Sequence, residues 1–116
     1  YARARGDRPG RALAAARESL ESGPKLGTLS HAAELSDKAG YESETLMYLT
    51  QYIRFERDRK WALLYRAGIF EMGPWYDRAL RDYRAALALE PGDAKVQAHI
   101  ARVEAAMRGQ ATAAAK

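Results

Sequence analysis

Apolar residues recur at helical rather than strand spacing along most of this 116-residue chain. Val96, Ile100, Val103 and Met107 form one stripe, and Ala79, Tyr83, Ala86 and Leu87 form another. Steps of three and four residues put such side chains on one face of an α-helix, where they can be buried together. Leu49, Tyr52, Ile53 and Glu56 follow the same steps, with the face turning polar at its end. Ala, Leu, Arg, Glu, Met and Gln dominate the chain and favour helix, and strand signals are nearly absent. Glycine and proline divide the pattern into six predicted helices, at about 9–22, 28–39, 43–57, 59–72, 75–89 and 93–108. Pro9 suits a first helical turn, where its missing amide hydrogen costs little. Gly23-Pro24, Gly40, Gly73-Pro74, Pro91-Gly92 and Gly109 supply the stops. Asp93 is a good N-cap for the sixth helix, and Thr28 or Ser30 for the second. The Arg57-Asp58-Arg59 junction holds neither Gly nor Pro, so only the spacing of the neighbouring stops argues for a turn there.

The punctuation and the apolar register repeat together. Gly6-Asp7, Gly40-Tyr41 and Gly73-Pro74 are spaced 34 and 33 residues apart, and Pro24 lies 67 residues before Pro91. Leu20, Ile53 and Leu87 are separated by 33 and 34, as are Ala12, Thr45 and Ala79. A period in this range with two helices per unit implies a solenoid, in which each hairpin buries its apolar face against the next. Small Ala residues recur where two helices must approach closely. Solenoids present extended surfaces to partners, which moves the expected function from enzyme to scaffold.

Composition narrows the class. Apolar residues make up 47% and charged residues 29%, the balance of a chain with a packed core. No apolar run is long enough to cross a bilayer, so this segment is not expected to insert into a membrane. The absence of cysteine removes disulfides and thiolate metal sites. The net charge of +4 and pI near 9.5 raise an anionic partner as an option. Yet Arg54-Phe55-Glu56-Arg57-Asp58-Arg59-Lys60 intersperses both signs, the mark of a solvated helix face, and nucleic acid is not expected. Catalysis lacks candidates. His31 and His99 stand 68 residues apart without a metal-binding spacing, and Gly27, Gly40 and Gly73 sit at helix ends rather than in a phosphate-cradling loop. No catalytic residue, metal or cofactor is implied.

The segment Leu63 to Pro91 resembles the tetratricopeptide repeat. Leu63, Ala67, Phe70, Pro74, Tyr76, Ala79, Tyr83, Ala86, Leu87 and Pro91 fall on that family's pattern of large apolar, small, aromatic and closing-proline positions. Leu26 to Asp58 is a degenerate copy, carrying Leu29, Ala32, Ala33, Gly40, Thr45, Leu49, Tyr52 and Ile53 in register. It departs where Arg57 replaces the terminal proline and Thr45 the small alanine. The resemblance implies an all-α fold: a right-handed superhelical solenoid of stacked antiparallel helical hairpins with about six helices. Its divisions are a partial repeat over 1–25, the degenerate repeat over 26–58, the best match over 59–92, a final helix over 93–109 with Ile100 and Ala101 on its apolar and small positions, and a tail over 110–116 that extends the helix or frays. Both ends fall mid-repeat, with Tyr1 to Arg5 as the end of a severed helix. The chain is therefore expected to be cut from a longer array, and any homodimer to come from the cut.

In this family the first helix of each hairpin lines a concave groove. Carried over by register, the groove candidates are Ser30, Glu34, Asp37 and Lys38, then Trp61, Leu64, Tyr65, Gly68, Glu71 and Met72, then Lys95, His99 and Arg102. Trp61 is either a partner-binding anchor or a residue packed between hairpins. Lys95, His99 and Arg102 share one helical face that either receives acidic groups or is simply solvated. The family's clamp for a C-terminal carboxylate needs Lys and Asn, where this chain has Ser30 and Glu34, then Leu64 and Gly68. Trp75, beside Gly73-Pro74, is expected to fold back over the neighbouring helix. The Ala/Arg-rich degenerate repeats also look like those in the periplasmic arm of Pel-type outer-membrane exopolysaccharide exporters. That resemblance implies a periplasmic scaffold holding a polysaccharide deacetylase or hydrolase beside the export barrel. A cytoplasmic assembly or secretion chaperone, and anionic-polymer or nucleic-acid binding through the Arg-rich surface, stand as alternatives.

Overall fold

Helix-favouring segments closed by turn residues become six α-helices, with no strand among the described residues. They are α1 (Ala2–Leu20), α2 (Leu26–Lys38), α3 (Glu42–Phe55), α4 (Lys60–Met72), α5 (Tyr76–Leu89) and α6 (Ala94–Ala115). The computed structural model describes the backbone over 2–23, 25–56 and 58–115, and side chains from 10 to 110 apart from Pro24 and Arg57. The chain divides into two compact units, Tyr1–Arg57 and Asp58–Lys116.

In the first unit α2 packs against both α1 and α3. Its core is Leu13 and Ala16 from α1, Leu29, Ala32 and Ala33 from α2, and Tyr48 and Leu49 from α3. Two adjacent alanines on α2, both fully buried, leave room for close helix approach. Thr45, where the repeat pattern has alanine, is also fully buried. Its hydroxyl lies 2.7 Å from that of Ser36, while Ser36 reaches the Ala33 carbonyl and Thr45 the Tyr41 carbonyl, each at 3.0 Å. With one hydrogen apiece, the two hydroxyls make two of these three contacts at a time, so neither is stranded in the core. The turn after α2 closes as a Schellman motif: Tyr41 N–H donates to the Ser36 carbonyl at 2.8 Å and Gly40 N–H to the Asp37 carbonyl at 3.0 Å. Gly40 holds φ +86°, a left-handed conformation that a side chain would strain.

In the second unit α5 packs against both α4 and α6. Ala62, Leu63, Ala67 and Ile69 from α4, Ala79, Leu80, Tyr83 and Ala86 from α5, and Val96 and Val103 from α6 are buried. The stop before α5 brings chain and ring together. Trp75 N–H donates to the Phe70 carbonyl at 2.6 Å, and a Cβ on Gly73 would meet the Trp75 ring at 2.8 Å. Trp75 does fold back over α4, its ring edge-on to Phe70 at 6.0 Å, yet it stays 41% exposed. Asp93 caps α6, its carboxylate accepting from Lys95 N–H at 3.0 Å and Val96 N–H at 3.2 Å.

The period persists in the folded chain. α4 and α5 begin and end 34 residues after α2 and α3, and α6 begins 34 after α4. Leu29 and Leu63, Ala33 and Ala67, Thr45 and Ala79, and Leu49 and Tyr83 are all buried at that offset. Several expectations are corrected. Helix α1 begins at Ala2, so Pro9 lies in its interior, and α6 runs through Gly109 to Ala115. Helix α2 starts at Leu26 with Lys25 in the cap position, so Thr28 and Ser30 fall inside its first turns. There the Ser30 hydroxyl donates back to the Gly27 carbonyl at 3.0 Å, satisfied by its own helix. Among the described side chains of α1, Leu13 and Ala16 are buried and Ala12 is exposed. In α6 Ala101 is exposed, Ile100 is half-buried, and Val96 and Val103 carry the packing. These two valines follow the buried Ala62 and Ile69 at the same 34-residue offset. The chain breaks between Phe55 and Lys60; Arg57 itself, like Tyr1, Pro24 and Lys116, lies outside the described residues.

Candidate functional site

Helix packing in the second unit gathers three of the groove candidates into one cluster. Glu71 projects from the last turn of α4, and Arg102 and His99 from α6, with Tyr83 of α5 between them. Arg102 grips Glu71 with two nitrogens, Nε to Oε2 at 2.9 Å and Nη2 to Oε1 at 2.8 Å. Tyr83 Oη donates to Glu71 Oε1 at 2.9 Å. The His99 ring stacks on the Tyr83 ring, with centroids 5.1 Å apart and planes 17° from parallel. Arg102, and then the Tyr83 hydroxyl, hold the Glu71 carboxyl below its usual range against the opposing effect of burial. Burial first, and the neighbouring carboxylate second, push the Tyr83 phenol up to about 12.

This cluster bears on the face of Lys95, His99 and Arg102, expected either to receive acidic groups or to be solvated. The acid that Arg102 receives is Glu71 of its own unit, because α5 brings α4 and α6 within reach of one another's long side chains. His99 is half-buried against Tyr83, and Lys95 is exposed with no ion-pair partner among the described residues. On α4, Trp61, Leu64 and Tyr65 are half-buried, and the Trp61 and Tyr65 rings lie 6.4 Å apart on successive turns. Gly68 is half-buried and Met72 is 85% exposed. In the first unit Glu34, Asp37 and Lys38 are exposed along α2, and Ser30 is half-buried. All the candidates on α2 and the apolar ones on α4 thus remain at least partly accessible.

A second feature of the first unit was not legible in the repeat register. Arg17 of α1 reaches Glu44 of α3 through two nitrogens at 2.7 and 2.6 Å, and Tyr48 donates to the same carboxylate. Arg17 above all holds the Glu44 carboxyl low, while burial and then Glu44 push the Tyr48 phenol up to about 12. Beside this network lies a cavity of about 400 Å³ between α1 and α3, with Met47 and Phe55 exposed along its edge. Its signal in the sequence was Met47, Gln51, Arg54 and Phe55 at helical spacing on one face of α3. The pattern could not say that α1 would supply the facing wall.

Among the described residues no group of three or more His, Asp or Glu side chains comes together as a metal site. No helix among them is long and apolar enough to cross a membrane. No protein-family model matches the chain, and no curated protein matches it significantly.

Proposed function

We propose that this chain is a non-catalytic scaffold of the tetratricopeptide type, whose hairpins stack in a right-handed solenoid and hold another protein. The observation that carries this reading is the coincidence of helix boundaries and buried positions at one 34-residue offset across α2–α3 and α4–α5. Repeated hairpins with equivalent small residues at their contacts are the units from which solenoids are built. The partner-binding residues in this reading are Glu34, Asp37 and Lys38 on α2 in the first unit, and Trp61, Leu64 and Tyr65 on α4 with Lys95 on α6 in the second. Glu71, His99 and Arg102 shape the surface of the second unit through their mutual contacts. The resemblance to Pel-type exporters makes the partner a periplasmic polysaccharide-modifying enzyme. Binding of an extended anionic polymer is less well supported, because Arg17, Lys60, Arg66, Arg84 and Arg102 are each bonded to a carboxylate of the same unit.

The test is retention by the immobilised chain from cell-envelope and cytoplasmic extracts, beside a Trp61→Ala/Glu34→Lys double variant. A protein held by the parent and lost by the variant is the expected result, and its compartment gives the location. Equal retention by both would remove Glu34 and Trp61 as binding residues.

A further inference from the structure

Guanidiniums and aromatic rings gather at the corner between α4 and α5. Arg66 and Phe70 of α4 and Arg78, Arg81 and Asp82 of α5 line a cavity of about 370 Å³. Asp82 is 3% exposed and takes Arg66 in a fork, Nε to Oδ2 and Nη2 to Oδ1, both at 2.7 Å. That pair is internally balanced, and the Arg66 guanidinium also lies over the Phe70 ring at 5.8 Å. The Arg78 guanidinium lies over the exposed Trp75 ring at 5.8 Å, and Trp75 in turn meets Phe70 edge-on. A guanidinium stacked on an aromatic face keeps its N–H edge free for a planar oxyanion and loses little conformational freedom when it binds one. Arg81, one turn on from Arg78, is exposed and has no ion-pair partner among the described residues. The lining therefore carries three guanidiniums against one carboxylate, beside an aromatic wall.

We infer that this corner is a docking site for an acidic peptide segment, in which a carboxylate meets Arg78 and Arg81 while an adjacent apolar side chain rests on Phe70 and Trp75. The surplus positive charge selects an anion, and the aromatic wall selects an apolar neighbour to it. A polyanion backbone fits less well, because it needs a track of free cations. In this unit Lys60 faces Glu90 and Asp93, Arg84 faces Glu104, and Arg102 faces Glu71. Arg78 and Arg81 thus stand exposed together on one turn of α5, whereas Lys95 and Arg108 are exposed singly on α6.

The experiment is fluorescence anisotropy of the full 116-residue chain with a labelled peptide alternating Asp with Leu and Phe. The parent is expected to bind, and Arg78→Ala/Arg81→Ala to weaken binding about tenfold or more, the usual loss for charge-assisted hydrogen bonds. An Arg11→Ala/Arg108→Ala control, which removes the same charge from exposed positions elsewhere, is expected to stay within about twofold of the parent. Far-UV circular dichroism checks that each variant is folded. No binding by the parent, or equal loss in both double variants, would overturn the inference. Tighter binding of heparin or oligo-dT than of the peptide would overturn it too, as would displacement of the peptide by an equal concentration of inorganic phosphate.

Discussion

Tyr83 separates what a ring contributes to the second unit from what a hydroxyl contributes. The side chain is 3% exposed, its ring stacks on His99, and its hydroxyl donates to a Glu71 that Arg102 also holds. Tyr83→Phe keeps the ring and removes one hydrogen bond to a charged acceptor, which is about 1.5 kcal/mol when the acceptor retains another donor. Tyr83→Ala also deletes the ring and leaves a cavity among α4, α5 and α6, for a cost of about 3–5 kcal/mol. For a domain of this size each kcal/mol moves the melting temperature by about 4–8 °C. The Phe variant should therefore melt about 6–12 °C below the parent, and the Ala variant should lose at least twice that or fail to fold. Thermal and urea denaturation followed by far-UV circular dichroism report both. An Ala variant within about 4 °C of the parent would mean that the ring is not part of the core. Equal losses in the two variants would mean that the hydroxyl network, not packing, holds α5 in place.

Further outcomes rest on the same structure. Thr45→Val keeps the shape but removes a buried hydroxyl shared with Ser36 and the Tyr41 carbonyl, so urea unfolding should show a loss of about 1–2 kcal/mol; an unchanged midpoint would mean the hydroxyl pair contributes nothing. Gly40→Ala forces a side chain into φ +86° and should cost about 1 kcal/mol by the same assay, whereas an alanine that stabilised the chain would show that the Schellman turn is not formed in solution. Ala79 is fully buried, so Ala79→Arg should overpack the α4–α5 contact and abolish cooperative melting; a soluble variant with parental stability would place that position on the surface. Glu44 and Glu71 titrate below their ordinary value of 4.5 when folded, so the stability they supply is complete above about pH 4.5 and is lost as pH falls through the lower folded values. Tyr48 and Tyr83 titrate near 12 rather than 10.0, so stability should also fall as pH rises from 10 towards 12. Glu71→Gln should flatten part of the acid limb, and a pH profile identical to the parent's would remove Glu71 from the account.

What the sequence by itself determined is the helical character, the number of helices and the period. Those properties are local or nearly so: helix formers at three- and four-residue spacing, Gly and Pro stops, and alanine wherever two helices of a hairpin must touch. The Leu29/Leu63 and Ala33/Ala67 pairs were legible because the constraint on each comes from its own hairpin. Boundaries governed by weak signals were less legible. Pro9 read as a start and Gly109 as a stop, yet the helices continue through both, because a single unfavourable residue is outweighed when its neighbours favour helix. The chemistry of the surface was settled only by tertiary structure. Nothing near Glu71 in the chain names Arg102, 31 residues away, and nothing near Arg17 names Glu44, 27 residues away. Ion pairs across neighbouring helices depend on which faces meet and how far each helix slides, and on α6 Val96 and Val103 are buried while Ala101 is exposed. The packing of α4 and α6 on α5 pairs Arg102 with Glu71, while Arg78 and Arg81 stay exposed at the α4–α5 corner.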